Sequence, residues 1–188
     1  MSWVPLSRAA KIRDALLLAG QLDQAWMQKV PEDDRRYAPW MPFNNDAFLG
    51  LALAALREAP GDPPSFFEIG AGIGTKMMLA HDILGLRVSG IERVTALAVQ
   101  AAQLGAGDIE VGDAAEYGGY GKHDIIWFNR ACRDPVLQAR LEAAVWENMR
   151  PGAVAMCANL EAPPPGWIIV DQDMDHACRG VWQKPAGS

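Results

Sequence analysis

Apolar positions along the chain fall into two regimes that meet near the run Pro60-Gly61-Asp62-Pro63-Pro64, which reads as a hinge or linker. Before it the spacing is helical. Ile12, Leu16 and Ala19 share one face behind Ser7 as a cap, Gly20 marks an end, and a second helical stretch covers about Leu22 to Val30. The run from Pro31 to Asn45 is charged at first, then aromatic, and broken by prolines, so it predicts an irregular loop before a helix from about Asp46 to Ala59.

After the linker, short apolar runs alternate with helical ones, the pattern of βαβ units on a parallel sheet. The predicted strands are Ser65 to Ile69, Arg87 to Ile91, Ile109 to Val111, Asp124 to Phe128, Ala153 to Ala158, Trp167 to Val170 and Cys178 to Gln183. Helices fill the gaps at Thr75 to Leu84, Val94 to Leu104 and Asp134 to Met149. The glycine-rich stretch from Ala114 to Lys122 has room only for a short turn. No helical segment separates the last two strands. They are predicted to form an antiparallel hairpin at the sheet edge, since a parallel crossover needs roughly a dozen residues. The expected fold is α/β, a Rossmann-like three-layer sandwich, with residues 1–60 as a helical segment packed on a core formed by 61–188.

Composition narrows this further. A chain of 188 residues, 50% of them hydrophobic, is long enough for one domain with a full core. The formal charge of -6 argues against an extended grip on nucleic acid, which depends on Lys and Arg neutralising phosphates. The N-terminal apolar run Ala15 to Ala19 is far too short to span a membrane and follows Lys11, Arg13 and Asp14. Cys132, Cys157 and Cys178 are odd in number and show no C-x-x-C, which speaks against a disulfide framework or a zinc site. A cytoplasmic setting is expected.

The candidate chemistry lies at the predicted strand ends. In FFEIGAGIGTK, an apolar strand ends in Glu68 and Ile69 and runs through Gly70, Ala71, Gly72 and Gly74 into a helix. Glycines suit such a turn because they accept positive φ and let backbone approach a ligand. Glu92, followed by Arg93, closes the next strand about 20 residues on, where a carboxylate accepts hydrogen bonds from both hydroxyls of a ribose. Asp113 and Ala114, at the end of the third strand, are placed to meet an adenine. Three neighbouring strand ends thus point to one nucleoside.

The series EIGAGIG, GIER, GDA and HDIIWFN resembles the class I S-adenosylmethionine-dependent methyltransferases from Ser65 onward. The resemblance implies a seven-stranded sheet with an antiparallel last strand, S-adenosylmethionine as cofactor and no metal. Glu68 and the glycines would border the methionine part, Glu92 would hold the ribose, and Asp113 with Ala114 the adenine. HDIIWFNRA and NMRPGAVAMCANL further resemble the non-SET histone-lysine methyltransferases, whose fourth strand also ends in asparagine. Asn129 stands where the amino-methylating nucleic-acid enzymes begin N-P-P-Y, but Arg130, Ala131 and Cys132 follow, which speaks against methylation of a base or glutamine amide.

Asn129 is therefore a candidate at the reaction centre and cofactor edge, or simply a turn toward Asp134 as a helix cap. Tyr37, Trp40, Phe43 and Asn44 are candidate lid and substrate residues; the alternative is that the aromatics, Met41 among them, pin the helices to the sheet. Cys132 lacks a preceding proline and a partner base, and His81, His123 and His176 read as structural or surface residues. The expected acceptor is a small molecule or a protein side chain. Competing readings are a catalytically silent cofactor- or partner-binding module and a nicotinamide-dependent oxidoreductase. Thr75 stands against the last, where the G-x-G-x-x-G/A spacing calls for glycine or alanine.

Overall fold

The computed structural model describes residues 6–27, 43–159, 164–173 and 179–187. Two N-terminal helices, α1 (Leu6–Met27) and α2 (Asn45–Glu58), precede a sheet built from β1 (Ser65–Ile69), β2 (Arg87–Glu92), β3 (Asp108–Val111), β4 (Ile125–Asn129), β5 (Val154–Ala158), β6 (Ile168–Asp173) and β7 (Arg179–Gln183). Between the strands lie α3 (Thr75–Leu84), α4 (Thr95–Gln103), two single 3-10 turns at Ala114–Glu116 and Tyr120–Lys122, and α5 (Pro135–Asn148). The strand order is β3-β2-β1-β4-β5-β7-β6. The first five strands pair in parallel, and β7 lies antiparallel between β5 and β6. The predicted hairpin is present, with β6 on the edge.

Local sequence explains most boundaries. Asn44 caps α2 by accepting from the Ala47 amide at 2.8 Å, and Asp134 caps α5 ahead of Pro135 in its first turn. Asp124, 2% exposed, accepts from both the amide and the hydroxyl of Ser65 at 2.7 Å and pairs with Arg150, so one buried carboxylate aligns the starts of β1 and β4. The central strands are apolar on both faces, as strands covered on two sides must be. On one face Phe66, Trp127, Met156 and Val181 meet Ala19 of α1, Phe48 of α2 and Met77 and Leu79 of α3. Phe48 sets its edge against Phe66 and Trp127, with ring centroids at 6.0 and 5.4 Å. On the other face Phe67, Ile126, Phe128 and Trp182 meet Leu141 and Val145 of α5. Among the described residues no helix is long and apolar enough to cross a membrane.

The N-terminal region departs from the sequence pattern. A break at Gly20 is expected, yet α1 runs unbroken through it to Met27; the rest of the predicted second helix, to Val30, lies outside the described residues. Ala19 and Asp23, one helical turn apart, are 1% and 4% exposed, and both are held against the body of the protein. The Asp23 carboxylate accepts from Thr75 Oγ1 at 2.8 Å and from Lys76 Nζ at 3.2 Å, and Lys76 also donates to Asn45 Oδ1 at 2.7 Å. A glycine inside a helix costs about 1 kcal/mol, less than releasing either anchor.

Glu68 completes this buried group of charges. Desolvation by burial, opposed by the Lys76 ammonium and reinforced by Asp23 and Glu92, pushes its carboxyl up to about 8, and its Oε2 has no hydrogen-bond partner.

Two outcomes follow. Lys76→Met, which leaves Asp23 buried without its cation, lowers the unfolding free energy in urea titrations by about 3–5 kcal/mol, whereas Asp23→Leu combined with Lys76→Met costs clearly less. Equal losses in the single and double variants would show that the ion pair does not fasten α1. A carboxyl raised from 4.5 to about 8 on folding contributes stability that is full below 4.5 and lost as pH rises through 8. Glu68→Gln should therefore gain on the parent protein in thermal midpoint across that window, and a difference independent of pH would contradict the assignment.

Candidate functional site

The order of the parallel strands reverses between β1 and β4, so the connections leaving their carboxyl ends diverge and open a crevice there. The glycine turn forms one wall. Gly70, Gly72 and Gly74 have φ of 69, 58 and 78°, a region closed to most side chains. The amides of Gly70 and Ala71 donate to the Ile91 carbonyl at 2.9 and 3.0 Å, tying the turn to β2, while the flanking Ile69 and Ala71 side chains are buried. The glycines differ in what they face. A Cβ on Gly74 would collide with Ala106, so this glycine lets α3 close on the β3 approach, whereas a Cβ on Gly70 would meet only open space.

Glu92 closes the turn from the neighbouring strand. Its Oε2 accepts from the Gly72 amide and its Oε1 from the Val94 amide, both at 2.8 Å, and the Arg93 amide adds a further bond. Burial nonetheless raises its carboxyl above the usual range, the amide donors only partly offsetting desolvation. A carboxylate has about four lone-pair positions, so acceptor capacity remains after these contacts. Glu68, one strand over, lies beneath the same turn with its unpartnered oxygen. At the end of β3, Asp113 accepts from the Ala115 amide at 2.9 Å and so fixes the 3-10 turn that begins at Ala114, whose carbonyl accepts from Tyr120 Oη at 2.6 Å. The structure thus brings Glu68, the glycines, Glu92, Arg93, Asp113 and Ala114 to adjacent strand ends.

Asn129 ends β4 on the far side of the crevice. Its Oδ1 accepts from Asn159 Nδ2 at 2.5 Å, across from the end of β5. Of the candidate lid residues, Tyr37 and Trp40 lie outside the described residues. Asn44 is occupied as the α2 cap. Phe43 packs on Trp127, ring centroids 5.1 Å apart, with the Arg179 guanidinium 5.2 Å above its own ring.

The remaining titratable candidates are not poised for catalysis. Burial, with Asp113 and Asp134 nearby, pushes the Cys132 thiol up to about 11, so little thiolate exists near neutral pH. His123 precedes β4, at the opposite end of the strand from Asn129; its ring stacks on Phe67 at 4.4 Å, and burial lowers it to about 4. His81 is exposed and bonded to Asp82, and His176 lies outside the described residues. Sequence reasoning missed Asp23, Lys76, Asn159 and Arg179. Asp23 had a signal, a charge that continues the apolar Ile12–Leu16–Ala19 stripe by one turn; the others had none, because Lys76 meets Asp23 only through the packing of α3 against α1, and the pairing of β4, β5 and β7 brings in Asn159 and Arg179.

No protein-family model matches the chain, and no curated protein matches it by sequence. Solved structures do match it in fold. An RNA methyltransferase from Salinibacter ruber, in complex with S-adenosyl-L-homocysteine, superposes with a TM-score of 0.58 at 18% identity, over 79% of this chain and 96% of that one. The yhhF protein of Escherichia coli gives 0.63 at 14% identity, over 80% and 91%. A precorrin-6y C5,15-methyltransferase from Geobacter metallireducens gives 0.55 at 10% identity, over 82% and 96%. The likeness is one of fold: the chain has the seven-stranded Rossmann-like architecture of class I methyltransferases.

Proposed function

We propose that this chain is an S-adenosylmethionine-dependent methyltransferase acting on a small molecule or a protein side chain. The observation that carries the reading is the Glu92 carboxylate, clamped between the Gly72 and Val94 amides beside a turn of three left-handed glycines, with about one lone-pair position left for a ribose hydroxyl. The residues present fit an adenosyl ligand. Gly70 faces open space where backbone can approach it, and Glu68 keeps a carboxylate oxygen without a partner beside the turn. In this reading Glu68, Ile69, Gly70, Ala71, Gly72 and Gly74 border the methionine part, Glu92 and Arg93 the ribose, and Asp113 with Ala114 the adenine.

S-adenosylmethionine, when bound, supplies an electrophilic methyl group on a cationic sulfur. The task of the protein is then to hold an unprotonated acceptor atom in line and to exclude water, and positioning of this kind is worth up to roughly 7–11 kcal/mol. Asn129, at the end of β4, orients the acceptor. It is also the residue on which the finer likeness to non-SET histone-lysine enzymes rests. Residues 1–60 serve as the segment that covers the site and selects the acceptor, on a cofactor-binding core formed by 61–188.

Thermal unfolding with S-adenosylmethionine, S-adenosylhomocysteine and NAD tests the reading. At a hundred times its dissociation constant an adenosyl ligand stabilises by about 2.7 kcal/mol, which for a domain of this size raises the midpoint by roughly 5–10 °C. NAD should give no shift, and Glu92→Ala should abolish the shift with either adenosyl ligand. A midpoint unmoved by both adenosyl ligands at millimolar concentration overturns the proposal. Binding without turnover to S-adenosylhomocysteine in the presence of candidate acceptors would favour a silent binding module.

A further inference from the structure

The sheet register places three side chains in a row beyond the end of β4. Trp127, Met156 and Val181 face one another on β4, β5 and β7 and share one face of the sheet. Two residues further toward the crevice, the same alternation brings Asn129, Ala158 and Arg179 to that face, at about 4.8 Å per strand. Ala158 is small and fully buried, so the row sets a polar group and a cation on either side of an apolar residue. Phe43 floors it, packed on Trp127 and lying under the Arg179 guanidinium.

Among the described side chains none forms a hydrogen bond or ion pair with the Arg179 guanidinium, and its Nε is buried without a partner. This sets it apart from Arg13, Arg140 and Arg150, each paired with a carboxylate, and from Arg87, bonded to the Pro63 carbonyl. Arg130 and Arg133, exposed just beyond β4, are likewise outside any ion pair with a described residue. Arg179, Arg130 and Arg133 thus bring three cations to this crevice wall, with Asp173 in register with Arg179 on β6. Across β5, Asn159 has φ 58°, the one described non-glycine residue in the left-handed region, and its amide reaches back to Asn129. An amide-to-amide hydrogen bond uses one N–H and one oxygen lone pair. Whichever way the two amides are oriented, the pair still presents both a donor and an acceptor to the crevice.

The geometry points to an acceptor-recognition site at the ends of β4, β5 and β7 for a small molecule carrying an oxyanion, a carboxylate or phosphate, with Arg179 as its anchor and the Asn129–Asn159 pair orienting the neighbouring polar group. The inference rests on the methyltransferase reading and deepens it by naming the acceptor class. A guanidinium stacked on a ring keeps its terminal N–H groups in one plane, the arrangement that receives an oxyanion through two hydrogen bonds. With no basic track beyond this wall, the site suits a small anion better than a nucleic-acid backbone.

The test uses the full chain with benzoate, phenyl phosphate and the neutral benzamide as probes, each titrated in the presence of S-adenosylhomocysteine. Calorimetry with S-adenosylhomocysteine alone comes first, and absence of binding there sinks the methyltransferase reading by itself. Where that ligand binds, benzoate or phenyl phosphate is expected to shift the Arg179 Nε resonance, assigned through Arg179→Lys, and to bind more tightly than benzamide. The tighter of the two distinguishes a carboxylate from a phosphate acceptor. Arg179→Met should lose roughly tenfold in affinity for the anions, Arg179→Lys should recover part of it, and S-adenosylhomocysteine binding should be unchanged in both. Equal binding of benzamide and the anions, no anion binding at millimolar concentration, an Arg179→Met variant that binds like the parent, or preference for a single-stranded RNA oligomer would each overturn the assignment.

Discussion

The contact between the Glu92 carboxylate and the Gly72 amide is the point on which the rest of this architecture turns. A strand ending in a glycine-rich turn has several backbone paths open to it, and three left-handed residues in five positions define none of them alone. The carboxylate selects one path by accepting from Gly72 on one side and Val94 on the other, so that the β1–α3 and β2–α4 connections are held by a single side chain. The Ile91 carbonyl adds two further bonds to the same turn. Burial raises the cost of keeping Glu92 charged, and its amide donors offset that cost in part. A group under such opposing demands is typical of ligand sites.

The second fixed element is the charge cluster beneath the turn. Thr75 and Lys76 open α3, and both bond to Asp23 of α1, so the helix that leaves the glycine turn is fastened to the N-terminal segment by charge as well as by packing. Asn45 joins from the first residue of α2. An ion pair this deeply buried contributes little net stability compared with apolar residues of the same size, but it is costly to break from one side. Its effect is to fix the register of α1 on α3. Glu68, held largely protonated near neutral pH beside these charges, ties the electrostatics of the N-terminal helices to the turn itself.

The two sides of the crevice are built differently. On the β1–β3 side, backbone amides and carboxylates crowd one another and every acid has an amide donor or a nearby cation. On the β4–β7 side the polar groups are side chains set on an aromatic floor: the asparagine pair, and the arginine over Phe43. Backbone-defined chemistry suits a ligand that is always the same, whereas side chains on strand ends change without disturbing the sheet.

How much of this was legible in the sequence depends on the range of the interaction concerned. β1 and α3 fall where periodicity and glycine placement put them, and most other boundaries shift by one to three residues, because strand alternation, capping by Asn44 and Asp134 and the glycine turn are all encoded within a few positions. Glu68, the glycines, Glu92 and Asp113 were visible for the same reason, each belonging to a strand end and the turn that follows it. The sequence pattern misplaced a helix end at Gly20, because what carries α1 through that glycine is Asp23 bonded to residues more than 50 positions away. It also had no means of finding Arg179, which reaches the crevice only because β7 inserts antiparallel between β5 and β6, or the Asn129–Asn159 bond across 30 residues. The sequence by itself determined the elements and the glycine-rich turn at the candidate site, since those follow from local backbone preference and the spacing of apolar side chains. The tertiary structure alone decided which charges meet, because a buried ion pair or a cation on an aromatic ring is chosen by the packing of distant segments and leaves no periodic trace along the chain.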